Sequence, residues 1–155
     1  MLPVLSWPGS AAWSFFARMS ADTFVLDPRL AASSVLLADG PLSQIRLVDD
    51  SRFPWLLLVP RVARASQWLD LDGGRQRLLL GEINRTGALL QAEPGVERLN
   101  IGALGNIVHQ LHVHLVGRHN GDDAWPGPIW GSGPARRYTP RARRACVAHW
   151  QHQLA

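Results

Sequence analysis

The segment Gln110-Leu111-His112-Val113-His114-Leu115-Val116 alternates polar and apolar side chains without a break. Along an extended backbone that period of two sends Gln110, His112 and His114 to one face and Leu111, Val113 and Leu115 to the other. The apolar set belongs in a core. Three hydrogen-bonding side chains in a row are costly on a buried face unless each finds a partner, so this face is expected to line a cleft. Residues 107–116 are read as a last long strand, entered through a turn at Gly105-Asn106.

Working upstream, Arg98–Gly102 reads as a strand, and before it Leu79, Ile83, Thr86 and Leu90 recur at helical spacing between the turn at 70–74 and the stop at Pro94-Gly95. Trp55-Leu56-Leu57-Leu58-Val59 is continuously apolar and closed by Pro60, which suits a central strand covered on both faces. Asp49-Asp50-Ser51-Arg52 is its preceding turn, and Ser43–Val48 is read as the first strand of the chain. Asp27 followed by Pro28 predicts a short capped helix over 28–34. Downstream, Trp125-Pro126-Gly127-Pro128 requires a rigid loop, and Thr139-Pro140 opens an amphipathic helix to about Leu154 with its Arg residues outward. The elements define an α+β chain with a mostly antiparallel sheet.

With 155 residues the chain has room for one core, and its 46% hydrophobic and 18% charged content is that of a folded protein. All 16 basic residues are Arg, for a formal net charge of +4. Guanidinium forks suit phosphate, yet an all-Arg set also follows from genomic base composition, so the five Arg between 136 and 144 are read as a solvated helix face and nucleic acid is not the expected partner. The single Cys146 excludes an internal disulfide and fits a reducing cytoplasm. No apolar run approaches the ~20 residues that span a bilayer, so no membrane partner is expected. Residues 1–18 lack a basic start and carry Pro3 and Pro8, which makes a poor signal peptide; 1–22 is read as a flexible extension.

Paired imidazoles serve metal binding, general base chemistry or direct nucleophilic attack. For metal, His109 falls on the wrong face of the strand, no carboxylate follows closely, and the position where a cupin carries its acid is Arg118. No G-x-S-x-G elbow is present for a Ser-His-Asp hydrolase.

The Gln110-x-His112-x-His114-Leu115-Val116 pattern resembles the motif of the histidine triad (HIT) family, His-x-His-x-His followed by two apolar residues, in a bacterial variant with Gln first. The resemblance extends over roughly 36–131 and takes in Phe53-Pro54-Trp55, Val59-Pro60-Arg61, the long helix, Asn100 and Gly105-Asn106. It implies a sheet of about five strands with one long helix and a C-terminal helix, in a domain over 23–131 followed by a C-terminal tail and helix over 132–155. It implies that His112 is the nucleophile, forming a transient nucleotidyl-imidazole, that His114 orients the site and holds phosphate, and that Gln110 donates a hydrogen bond there without titrating. Asp50, or Asp49, would hold the ribose hydroxyls; Asn100, Asn106 and Arg118 would lie by phosphate.

Trp55 stands where relatives often carry another His. The loop from Trp125 to Gly131 resembles the Trp-Pro-Pro-Gly ending of nucleoside phosphoramidase relatives, which reaches toward the partner subunit's site and implies a homodimer. The activity expected is hydrolysis or nucleotidyl transfer on dinucleoside polyphosphates or nucleoside phosphoramidates. No cofactor is needed for the chemical step, though a divalent metal can accompany the nucleotide. The alternatives are a nucleotide-binding module without efficient catalysis, or a metalloprotein using the His cluster.

Overall fold

In the computed structural model, which describes residues 23–155, five strands pair antiparallel in the order β1-β2-β3-β5-β4: β1 (Ser34–Asp39), β2 (Ser43–Val48), β3 (Trp55–Pro60), β4 (Arg98–Gly102) and β5 (Val113–Arg118). Three helices accompany them among the described residues: α1 (Pro28–Ser33), α2 (Gly73–Gln91) and α3 (Pro140–Leu154), with a single 3-10 turn at Trp68–Asp70. The α+β class, the mostly antiparallel sheet, the long helix and the terminal helix are as expected. The extension expected over 1–22 lies outside the described residues. Among those described, no helix is long and apolar enough to cross a membrane.

Strand periodicity divides the sheet into two unequal faces. Ile45 and Leu47 of β2, Leu56 and Leu58 of β3, and Val113 and Leu115 of β5 point one way, where Leu79, Ile83 and Leu90 of α2 and Trp150 of α3 cover them in one buried cluster. Val48, Leu57 and Val59 point the other way, against Leu30 of α1. Thus β3 is buried on both sides, as its unbroken apolar run requires. On this second face the helical cover is short, and a cavity opens beside α1.

The ends of α3 follow from local chemistry. Thr139 is its N-cap, accepting from Ala142 N at 3.3 Å, and Pro140 supplies the first helical φ at a position whose N–H needs no partner. Thr139→Ala is expected to lower stability by about 1 kcal/mol, read as a small drop in Tm, with the fold retained. Cys146 is packed beside Tyr138, and burial pushes its thiol above the usual range.

Two elements differ from the sequence reading. Strand β1 was not expected, because its burial does not alternate: Ser34 and Leu37 are buried, and the pairing with β2 slips between Leu36 and Ala38. A bulge inserts one residue and erases the period of two. Strand β5 begins at Val113, not at 107, and runs on to Arg118. The preceding residues are held by other partners: Leu111 N donates to Ala65 O at 2.8 Å, and the Gln110 side chain is tied to the segment before α1.

Candidate active site

Leu57 of β3 pairs with His114 of β5, so the second face of the sheet presents His114 between Trp55 and Trp130. Trp55 Nε1 donates to His114 Nδ1 at 3.1 Å. That bond requires a lone pair on Nδ1 and puts the proton of the neutral ring on Nε2. Burial, reinforced by the neighbouring His112, lowers the His114 pKa from 6.5 to about 3, so the ring is neutral at physiological pH.

His112 sits one step before the strand, 7% exposed, its ring 4.8 Å from that of His114 in an edge-on arrangement. Its Nδ1 lies 2.7 Å from the backbone carbonyl of Gln110. A carbonyl only accepts, so Nδ1 carries the proton and the Nε2 lone pair is left without a partner among the described residues. The two imidazoles are therefore opposite tautomers, one offering a lone pair and the other an N–H.

A ¹H–¹⁵N spectrum optimised for imidazole is expected to show these tautomers, with His114 unprotonated down to about pH 4. Between the folded value of about 3 and the unfolded 6.5, the unfolded chain binds the additional proton. The contribution of neutral His114 to stability is therefore complete above 6.5 and is lost as pH falls toward 3. A His114 resonance titrating near 6.5 in the folded protein would contradict this arrangement.

Both imidazoles line a cavity of about 510 Å³ together with Asn106 and Asp50. Asn106 follows Gly105, whose φ of +68° permits the tight approach of this loop, and its amide makes no side-chain hydrogen bond among the described residues. A smaller cavity of about 210 Å³, walled by Trp68 and Leu69, flanks His112 across Leu104 and Gly105.

Other residues expected at the site are elsewhere or engaged. The Gln110 amide does not line the cavity: its Oε1 accepts from Asp27 N at 2.8 Å and its Nε2 donates to Val25 O at 2.9 Å. The side chain anchors the approach to α1, while its backbone carbonyl sets the His112 tautomer. Arg118 and Asn100 are also outside the cavity: the guanidinium is 3% exposed, donating to Asp122 at 2.6 and 2.8 Å, to Asn100 Oδ1 at 2.6 Å and to Gly127 O at 3.0 Å. Phosphate has no access to it. Trp125 is 43% exposed, in a cis bond with Pro126, and does not line the cavity.

The sequence reading passed over Trp130, Arg52 and Arg137. Trp130 packs on Gly102, where a Cβ would come within 2.9 Å of its ring, and reaches the cavity beside His114. Its indole N–H is buried with no acceptor among the described residues. Arg52 and Arg137 line the far end of the cavity with Asp49 and Asp50. Asp50 is 1% exposed and accepts from Arg52 Nε, Arg52 Nη2, Arg52 N and Arg136 N. Burial alone would raise its pKa, but the bonds from Arg52 and from the Arg136 backbone outweigh it and hold the carboxyl below the usual range. Among the described residues, no group of three or more His, Cys, Asp or Glu side chains is placed to hold a metal.

The geometry defines an antiparallel α+β domain with a tautomerically ordered His pair at the mouth of a cleft. The HIT domain family model matches residues 29–121, more than half of the chain. A histidine triad protein of Sinorhizobium meliloti is 42% identical with a TM-score of 0.81, over 84% of this chain and 97% of that one. Those of Bradyrhizobium japonicum and Marinobacter aquaeolei are 36% and 37% identical, with TM-scores of 0.82 and 0.81, each over 86% of this chain and 99% of the other. No match is found among curated proteins. The chain belongs to the histidine triad (HIT) family, whose members bind nucleotides and include hydrolases, transferases and non-catalytic proteins.

Proposed function

We propose that the protein is a nucleotide hydrolase or nucleotidyl transferase that works through a covalent nucleotidyl-His112 intermediate. The observation that carries this reading is the bond from His112 Nδ1 to the Gln110 carbonyl, which leaves the Nε2 lone pair without a partner among the described residues, in a cavity wall. In-line attack forms the Nε2–P bond as the bond from phosphorus to the leaving group breaks, and the leaving group departs with the electron pair. The Gln110 carbonyl then stabilises the imidazolium through its Nδ1–H. Water attacks the same phosphorus, the N–P bond breaks, and the water proton is released with the nucleotide. The Asn106 amide and the His114 Nε2–H supply hydrogen bonds to the phosphoryl oxygens without adding a charge.

This arrangement favours one kind of leaving group. His114 stays neutral with its pKa near 3, and the Gln110 amide neither titrates nor enters the cavity, so no described side chain beside His112 is a ready proton donor. A phosphoanhydride, whose leaving phosphate needs no proton, is preferred over a phosphoramidate, whose amine does. Incubation with diadenosine tetraphosphate and adenosine phosphoramidate, with acid-stable products and a rapid-quench search for nucleotidyl-histidine, tests the reading. Turnover with adduct on His112, faster for the anhydride, is expected; nucleotide binding with neither turnover nor adduct would instead establish the non-catalytic binding module. The chemical step needs no metal in this scheme, and a divalent cation enters only with the nucleotide. A homodimer is the proposed assembly, by analogy with the family.

A further inference from the structure

Trp55 opens β3 opposite Val116, and His114 stands opposite Leu57. Side chains two apart on a strand share a face, so Trp55 and His114 are diagonal neighbours across the ladder, a separation that an indole spans. The Trp55 ring packs against both the Leu57 and the Phe53 clusters, which restricts its rotamer. Its Nε1–H meets His114 Nδ1 at 3.1 Å and has no other acceptor among the described residues.

An indole N–H donates and never accepts. A His or an amide at position 55 could turn either way to suit the ring opposite, whereas Trp55 admits one arrangement only. In an imidazolium, the Nδ1–H of His114 would face the indole N–H, two donors with no acceptor between them in a partly buried place. Burial and the neighbouring His112 already disfavour that cation, and the indole acts in the same direction because it holds the lone pair a proton would need. Across the sheet His114 faces Leu57 and Gly102, and its ring meets those of Trp55, His112 and Trp130, of which only His112 titrates. Asp49, Asp50, Arg52 and Arg137 line the same cavity, with both carboxylates paired to arginine. The His114 Nε2–H has no partner among the described residues, and the ring lines the cavity. It can donate to a phosphoryl oxygen, but giving its proton away from the neutral ring would leave an imidazolate anion where burial penalises charge.

We infer that Trp55 is the positioning residue that sets the leaving-group specificity of the site: its donor-only N–H fixes His114 as a neutral hydrogen-bond donor, so that departing groups receive no proton from His114. The inference rests on the nucleotidyl-His112 reading above and names the residue behind its preference for anhydrides. In the anhydride reaction the Nε2–P bond of His112 forms as the P–O bond to the departing phosphate breaks, and the electron pair leaves on oxygen. An amine leaving the same phosphorus needs a proton on its nitrogen, which His114 could supply only as the imidazolium that Trp55 opposes.

Trp55→Phe keeps a ring in the packed position and removes the N–H, and Trp55→His offers a ring able to accept from Nδ1–H. The readouts are the imidazole ¹H–¹⁵N spectrum and the ratio of kcat/KM for diadenosine tetraphosphate to that for adenosine phosphoramidate, followed across the range in which an ordinary His titrates. Taking the ratio cancels the protonation of His112, which both substrates share. In the variants His114 is expected to leave its fixed tautomer and to titrate nearer the ordinary value, and the ratio at the acid end of the range is expected to fall at least about tenfold below that of the wild type, through a gain on the phosphoramidate. An equal loss on both substrates, or a His114 tautomer unchanged without the indole, overturns the inference and leaves the nucleotide reading standing. A wild type faster on the phosphoramidate does the same. The wild type also gives a test that needs no variant: its Trp55 indole proton is expected to exchange slowly and to show scalar coupling to His114 Nδ1, and an indole proton that exchanges freely overturns the inference. Turnover of neither substrate by the wild type overturns both.

Discussion

His112→Ala is expected to abolish turnover, by on the order of 10⁴-fold or more, with nucleotide binding retained. The size follows from what is lost. Without Nε2 there is no covalent route, and water must attack a phosphorus that His114 and Asn106 only hold. Because His112 lines the cavity and is not one of the apolar residues of the main cluster, the variant is expected to keep its fold. Rapid quench is expected to show no N–P adduct, and calorimetry to show a Kd changed far less than kcat. Loss of binding in parallel with activity would mean that the imidazole only holds phosphate. Undiminished turnover would remove it from the chemistry altogether.

The largest effect on stability is expected at Asp122. Its carboxylate receives Arg118 Nε and Nη2 as well as Ala124 N, and both side chains are almost wholly inaccessible to water. Removing one partner of a buried pair strands the other charge, so Asp122→Ala is expected to lose about 3–5 kcal/mol, a fall in Tm of roughly 10 °C. The bond to Arg118, with help from the backbone of Ala124 and His119, holds the Asp122 pKa at about 2 against 3.8 unfolded. The unfolded state therefore binds more protons between these values, and the stabilisation is complete above 3.8 and lost as pH falls toward 2. The gap between wild type and Asp122→Ala in chemical denaturation should narrow over that window. A constant gap would place the effect in packing and not in charge.

These two residues also show what was legible in one dimension. The alternation at 110–116 reveals the His pair and the core side of β5, because a period of two is a property of the strand itself. Pro60, Pro94-Gly95 and Thr139-Pro140 mark element ends, since each acts through its own backbone. The bulge in β1 is invisible for the opposite reason: it breaks the only local pattern a strand has. The roles of Gln110, Arg118 and Arg137 were decided by partners outside any local pattern. Gln110 is held by residues 83 and 85 positions away, and Arg137 by one 88 away. Arg118 has Asp122 only four positions on, but that spacing carries a signal on a helix and none at a strand end. The triad pattern located the imidazole pair, while the partners of the carboxylates at the far end are contacts that only the folded chain reveals.

Arg52 supplies most of the contacts on Asp50, while those on Asp49 come from beyond the matched family segment, which stops at 121. Arg136 and Tyr138 grip Asp50 and Asp49 through their backbone N–H groups, and Trp150 completes the main core from the last helix. The C-terminal stretch is thus at once a structural stay and the sculptor of one wall of the cleft. A lineage that redraws only these closing residues can reshape that wall while leaving the His112 imidazole, and the strand that follows it, untouched.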